Sequence, residues 1–164
     1  MLVAAPAVHA QPSDWERKQK ARDWRERELA LPAAPDRARL MPFYVSATAT
    51  FSFFVDPASI SVGDDGVVRY TLLARSPEGA ETVTYEGMRC SERQFRIYAI
   101  ASANGWARVD KPWRPILLPS VQPWEEVLYR EVFCPLGDLV RDGSAAVAAL
   151  RQANERGRAP GGGD

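Results

Sequence analysis

The stretch that decides the fold is "FSFFVDPASISVGDDGVVRYTLLARSPEGAETVTYEGMRC", residues 51–90. Apolar and polar side chains alternate along much of it, which is typical of strands with one face on a core. Turn-forming residues interrupt the alternation at Asp56 and Pro57, at 63–66 and at 76–80. Consecutive strands joined by short turns predict an antiparallel meander.

The alternation also assigns side chains to faces. After the turn at 63–66, one face carries four side chains: Val68, Tyr70, Leu72 and Ala74. The run "QFRIYAIA" at 94–101 predicts a further strand with Phe95, Ile97 and Ala99 on one face. Asn104 and Gly105 follow it and are typical of a short hairpin.

The C-terminal third changes to helical signals. "PWEEVLYREVFC" at 123–134 places a proline in the first turn and Glu125 and Glu126 where a helix dipole favours acids. Pro135 should end this helix just after Cys134. Residues 144–156 predict a second, alanine-rich helix, and 157–164 a disordered tail. The predicted fold class is therefore α+β, an antiparallel sheet of about five or six strands with helices covering one face.

The N-terminal segment, residues 11–42, is expected to form a charged helix followed by a Pro/Ala linker, ahead of a single α+β domain at 43–156. Ser13 and Glu16 have the spacing of a capping box, which predicts a helix over 13–31. Its charges alternate in sign and its apolar edge is thin. We expect this helix either to lie against the domain through its tryptophans or to project as a docking arm.

The first ten residues, "MLVAAPAVHA", are apolar and uncharged and resemble the end of a secretory signal with its cleavage site. We interpret residues 1–10 as a signal remnant and expect a periplasmic protein. Cys90 and Cys134 are the two cysteines of the chain. In an oxidising compartment they should pair, a strand end to a helix end. The alternative is two free thiols.

Charge and histidine content narrow the function classes. Lys and Arg together number 21, as do Asp and Glu, and this balance argues against general nucleic-acid binding. No run reaches the roughly 18 apolar residues of a membrane-spanning helix. The one histidine, His9, lies in the predicted leader. The mature chain would therefore have no histidine for a Ser-His-Asp triad or a metal site, and we expect no metal, no cofactor and no catalytic residues.

Glu86 is the one carboxylate that we single out. It shares a strand face with Thr84, Met88 and Cys90, and one interpretation is that it serves a hydrolase that uses paired carboxylates. No second acid is indicated opposite it by spacing. The structural alternative is that Glu86 pairs across strands with one of three arginines: Arg89, Arg93 or Arg96.

Aromatic residues beside cations form the second candidate. The candidate binding residues of this region are Trp106, Arg108, Trp113, Arg114 and Trp124. Such a patch suits protein, glycan or single-strand binding. Core packing of the rings is the alternative.

Three segments together carry a family resemblance: "VRYTLLARSPEGAE" at 68–81, "YEGMRC" at 85–90 and "LYREVFCP" at 128–135. With them the chain resembles the cryptic neisserial protein one-like family, small exported proteins of proteobacteria, over about 14–151. Both cysteines match the family pattern, which supports their pairing. A fainter similarity is to surface-adhesin E-like proteins of the bacterial envelope. That similarity implies a sheet covered by helix and a binding role.

The function expected from these observations is that of a non-enzymatic exported envelope protein that binds a protein or an envelope polymer. Two alternatives stay open. One is a small carboxylate-dependent hydrolase of the envelope. The other is a structural or assembly factor that docks through residues 13–31.

Overall fold

The computed structural model of the protein describes residues 13–109, 111–117, 119 and 123–158. The predicted leader at 1–10 and residues 159–164 of the predicted tail lie outside the described residues.

One antiparallel sheet forms the body of the protein. Its strands are β1 Met41–Phe43, β2 Ser52–Val62, β3 Val67–Arg75, β4 Glu81–Arg89, β5 Gln94–Ser102, β6 Gly105–Arg108 and β7 Arg114–Pro115. The first six lie side by side in chain order, and β7 pairs with the beginning of β5. The predicted α+β meander is confirmed. The described residues give seven strands, because the short β1 and β7 add to the main run.

Among the described residues, three α-helices accompany the sheet: α1 Asp14–Asp23, α2 Pro123–Val127 and α3 Gly143–Arg158. Helix α2 continues as a wider turn over Leu128–Phe133, where the Cys134 amide donates to the Tyr129 carbonyl five residues back at 2.9 Å. The turn Pro135–Gly137 follows, so the chain leaves the helix at Cys134, as predicted. Asp142 caps α3, its carboxylate accepting the Ala145 amide at 2.9 Å.

The main core lies between the sheet and these C-terminal helices. Its largest fully buried side chains include Tyr70, Met88, Leu128, Phe133 and Leu150. The Cys90–Cys134 disulfide joins the end of β4 to the end of the wide turn, with the two Cα atoms 5.3 Å apart. The predicted strand-to-helix bond is therefore confirmed. It fixes the helical layer on one face of the sheet.

An extended segment crosses the opposite face of the sheet. Residues 24–35, here called the strap, follow α1 without regular structure. Leu29 and Leu31 of the strap pack against a second small core around Tyr85, Tyr98 and Ala99. We call this side of the sheet the strap face. The sheet is thus covered on both sides.

The helix predicted over 13–31 ends early, at Asp23. Its beginning is confirmed, because the Ser13 hydroxyl accepts the Glu16 amide at 3.3 Å and Glu16 accepts the Ser13 amide at 2.7 Å. From Trp24 onward, contacts with the sheet replace the helical hydrogen bonds. Tertiary contacts override local propensity here, since propensity contributes only a fraction of a kcal/mol per residue.

The turn predicted at Asp56 and Pro57 is a bulge inside the continuous strand β2. Asp56 pairs with Thr71 and Ser61 pairs with Arg69, so β2 advances by five residues where β3 advances by two. Ser59 fills the gap, since its hydroxyl accepts the Thr71 amide at 2.7 Å and donates to the Asp56 carbonyl at 2.8 Å. The backbone therefore stays hydrogen-bonded and the strand does not turn.

A second irregularity moves Ala99 to the other face. Phe95 and Ile97 face the main core, as predicted, whereas Ala99 belongs to the strap face. Tyr85 is opposite Ala99 and Glu86 is opposite Ile97, so Tyr98 is the extra residue of a bulge. An inserted residue reverses the alternation beyond it.

Candidate functional site

Three of the predicted binding residues contact the strap. The Trp106 indole Nε1 donates to the Pro32 carbonyl at 2.8 Å, and the Arg108 guanidinium donates to the Leu29 carbonyl at 3.3 Å. The Trp113 indole Nε1 donates to the Glu26 carboxylate at 3.3 Å. Side chains of the sheet and of the segment after it thus hold an extended polypeptide by both its backbone and its side chains.

Glu26 is the polar centre of the strap. Besides Trp113, its carboxylate accepts hydrogen bonds from the Tyr98 hydroxyl and from Arg96 Nη1, the latter at 2.9 Å. Arg69 Nη2 lies 3.7 Å from the same carboxylate. Burial, together with the hydrogen bond to Glu26, raises the pKa of Tyr98, so this hydroxyl remains a donor.

Asp65, in the turn between β2 and β3, fastens the start of the strap. Its backbone carbonyl accepts the Trp24 indole N–H at 2.7 Å, and its carboxylate accepts the Arg27 amide at 2.9 Å. The same carboxylate pairs with Arg69 at 2.6 Å. Burial alone would raise the pKa of Asp65, but the hydrogen bonds from Arg69 and the Arg27 amide outweigh it and hold the pKa below its ordinary value.

A stacked cation completes this end of the strap face. The Arg89 guanidinium lies 3.6 Å from the centre of the Trp24 ring and 5.7 Å from that of Trp113. The two indoles meet edge to face with their centres 6.1 Å apart. Cation–π attraction at such distances contributes about 0.5–2 kcal/mol, more where water is excluded.

Beyond the other end of the strap the sheet presents a cleft. One part, of about 150 Å³, is lined by Pro35 at the strap end, Val83, Ala101 and Trp106, among others. An adjoining part of about 420 Å³ shares Val83 and Ala101 with it and includes Arg37 and Glu81. Arg37 and Glu81 form an ion pair at 3.3 Å. The floor is therefore apolar and the rim is charged, as in many binding sites.

Glu86 lies on the opposite face, buried under the helices. It accepts hydrogen bonds from the Tyr70 hydroxyl at 2.9 Å and the Thr84 hydroxyl at 2.6 Å. The predicted pairing with Arg89, Arg93 or Arg96 is wrong. Glu86 points into the main core, where Tyr70 and Thr84 are the donors within reach, whereas Arg96 bonds to Glu26 on the strap face and Arg89 stacks on its indoles.

Glu125, on α2, is a second buried acid near Glu86. Both side chains are only 3% exposed. Burial and the charge of Glu86 raise the pKa of Glu125 to about 8, against the opposing effect of Arg114. Burial also raises the pKa of Glu86. The two carboxyls are therefore electrostatically coupled, a relation that spacing in the sequence did not indicate.

The remaining predicted residues do not join one patch. Trp124 stacks on Phe53 on the helical side with ring centres 5.0 Å apart. The Arg114 guanidinium lies 4.7 Å from the centre of the Phe95 ring. Trp106 and Trp113 belong to the strap face, so the tryptophans are divided between the two faces of the sheet.

A family model, the CNP1-like family, matches residues 19–151. The chain belongs to the CNP1-like family. The matched range includes the strap and both cysteines of this CNP1-like chain, and it agrees with the family resemblance noted from the three sequence segments. Comparisons with curated proteins and with solved structures match nothing. The similarity to surface-adhesin E-like proteins therefore gains no support from them.

The described part of this CNP1-like chain contains neither a cluster of metal ligands nor a helix that could span a membrane. Within that part, no group of three or more His, Cys, Asp or Glu side chains is placed to hold a metal ion. None of its described helices is long and apolar enough to cross a membrane.

The expectation that the N-terminal segment lies against the domain through its tryptophans holds for Trp24, which contacts Asp65 and Arg89. The sequence interpretation missed Glu26 of the strap and its hydrogen-bond partner Tyr98. One signal for the strap was present, because Leu29 and Leu31 are two positions apart, the period of an extended chain. The alternating charges of 23–28 pointed instead to a solvated helix.

Proposed function

We propose that this CNP1-like protein is a non-enzymatic exported component of the bacterial cell envelope that binds an extended segment of another protein on its strap face. The observation that carries this proposal is the strap itself. The strap face holds an extended polypeptide within the same chain, through hydrogen bonds from Trp106 to the Pro32 carbonyl and from Arg108 to the Leu29 carbonyl.

This mode of contact suits a polypeptide partner. Hydrogen-bond donors that bind backbone carbonyls accept a segment of any sequence. The apolar surface under Leu29 and Leu31 adds selectivity, because it favours apolar residues two positions apart. The partner segment enters at the cleft beside Pro35 and replaces the strap on Trp106, which contributes to both the cleft and the strap contact. The predicted patch is thus narrowed to Trp106, Arg108 and Trp113.

Location in the periplasm is part of the proposal. The disulfide supports export, since such bonds persist in oxidising compartments and are rare in the cytosol. The signal-like residues 1–10 supply the second argument. Fractionation of cells, with thiol labelling of each fraction, should place a fully oxidised chain in the periplasmic fraction.

The two alternative functions fit the geometry less well. Glu86 on β4 and Glu125 on α2 are both buried and do not line the clefts described above, whereas a hydrolase needs its acids open to substrate. An assembly factor that docks through 13–31 would need a free surface on this segment. Residues 24–31 belong to the strap and already contact the sheet. Only α1 would remain for that role.

Site-specific photocrosslinking in cells tests the proposal. Benzoylphenylalanine is placed at Ala101, which is exposed and lines the cleft, and in a matched control at Ala148, which is exposed on α3. We expect a defined protein adduct from position 101 alone, mapped to one segment of the partner and lost with Trp106→Ala. Adducts of equal yield at both positions, or an adduct with glycan in place of polypeptide, would overturn it.

A further inference from the structure

We infer that the strap face contains a carboxylate-binding pocket, filled in this chain by Glu26, that recognises an acidic residue of an extended polypeptide. The identity of the occupant rests on the proposed function. The pocket itself stands on its own geometry.

Four donors converge on the two oxygens of the Glu26 carboxylate. Oε1 accepts the Tyr98 hydroxyl and lies 3.7 Å from Arg69 Nη2. Oε2 accepts Arg96 Nη1 at 2.9 Å and Trp113 Nε1 at 3.3 Å. Each oxygen thus faces one cation and one neutral donor, the arrangement that a planar monoanion requires.

The net charge of the groups around the Glu26 carboxylate also favours an anion there. Arg69 and Arg96 bring two positive charges to Glu26, and Asp65 supplies one compensating negative charge through Arg69. Removal of the Glu26 charge would leave these groups with an excess positive charge. The Arg69 side chain is only 6% exposed, so water would screen that excess poorly.

The pocket has donor capacity to spare. Arg69 Nε is buried and has no acceptor among the described residues. Buried donors normally have partners, and an exception calls for an explanation. The Glu26 side chain does not provide an acceptor for Arg69 Nε. A ligand with a further acceptor close to Arg69 would provide one.

Two of the four donors, Tyr98 and Trp113, are restrained by packing contacts that do not involve Glu26. Tyr98 lies against Gly87, and a Cβ atom at Gly87 would come within 2.4 Å of the Tyr98 hydroxyl oxygen. The Trp113 ring meets the Tyr98 ring edge to face, with centres 6.3 Å apart. Donors that need no rearrangement bind a carboxylate with little loss of entropy.

Rescue by a small carboxylate tests the pocket. In the full chain, Glu26→Ala removes the occupant, and Glu28→Ala changes an exposed glutamate of the same strap as the matched control. Thermal unfolding is followed at pH 7 in sodium acetate and in sodium chloride of equal ionic strength. We expect Glu26→Ala to lower Tm by several degrees more than Glu28→Ala does. Acetate should recover part of that loss with a saturable dose dependence.

General stabilisation by acetate is subtracted through the controls, since it acts on the wild type and Glu28→Ala as well. If Glu26→Ala is largely unfolded, acetate should restore the folded fraction seen by circular dichroism, because a ligand that binds only the folded state stabilises it. An acetate effect no larger than in the wild type would overturn the pocket. That failure is distinct from failure of the proposed function, which is decided by the crosslinks at Ala101.

Discussion

The Glu26 carboxylate accepts a hydrogen bond from the Tyr98 hydroxyl, although the two residues are 72 positions apart in the chain. This contact ties the N-terminal strap to β5 and makes the strap part of the folded body. The segment that precedes the sheet is therefore a structural element, and the residues that hold it are those we propose for binding.

Gly87→Ala should loosen the strap without touching it. The added methyl group would collide with the Tyr98 ring, whose nearest atoms lie 2.4–2.8 Å from the Cβ position. We expect a loss of about 1–3 kcal/mol in the free energy of unfolding. Hydrogen–deuterium exchange of peptides covering 24–32 should also quicken.

The control for this prediction is a double-mutant cycle with Tyr98→Ala. Once the ring is absent, Gly87→Ala should cost much less, since the collision is removed. Equal costs of Gly87→Ala in both backgrounds would contradict the contact.

The strap shows where sequence interpretation reaches its limit. Period two and the turn residues predicted the meander, because these signals are local in the sequence. The presence of two cysteines, together with the expectation of export, predicted the disulfide. Glu26 gave no such signal. Its partners come from β3, β5 and the segment before β7. Alternation along β5 places Arg96 and Tyr98 on the face opposite Phe95 and Ile97, but it does not say which segment of the chain covers that face.

Loss of the Cys90–Cys134 bond should weaken folding without abolishing it. The bond closes a loop of 44 residues, and the chain-entropy model gives such a bond about 4 kcal/mol. The variant Cys90→Ala with Cys134→Ala should therefore show a urea midpoint well below that of the wild type. Reduction of the unmutated protein is the control, because it breaks the bond without creating cavities. A midpoint unaffected by reduction would contradict the expected stabilisation.

Stability should fall as the pH rises toward 8, because of Glu125. Its pKa is raised from 4.5 to about 8, so between these values the folded protein holds a proton that the unfolded chain has released. The contribution is favourable at low pH and is lost as the pH rises through this window. Glu125→Gln stays neutral at every pH and should be more stable than the wild type at pH 8.5 by a few kcal/mol, since one pKa unit corresponds to about 1.4 kcal/mol.

Urea unfolding at pH 5, 7 and 8.5 measures this slope. Glu126→Gln, which changes the adjacent carboxylate facing Arg130, is the matched control and should keep the wild-type pH dependence. Glu125→Gln should flatten it. The same slope in all three proteins would contradict the assignment to Glu125.

The buried acids illustrate the second limit of the sequence. Glu86 was singled out from its strand, but its neighbour Glu125 is 39 positions away on a helix that the disulfide holds over the sheet. The relation between them exists only through the packing of α2. Likewise, the tryptophans that cluster in the sequence at 106–124 separate in space, because the chain passes from one face of the sheet to the other between them.

Binding of the strap peptide in trans tests the central claim most directly. The full chain carrying Glu26→Ala with Leu31→Ala is added in increasing amounts to the labelled peptide "WRERELALPAAP", residues 24–35. The two substitutions weaken the contact between the chain's own strap and the sheet. Fluorescence anisotropy should show saturable binding, with weaker binding to the wild type, whose strap competes at the millimolar effective concentration of a tethered segment. Trp106→Ala in the same background should abolish it. No binding to a variant shown to be folded, or equal binding of a scrambled peptide, would contradict the account.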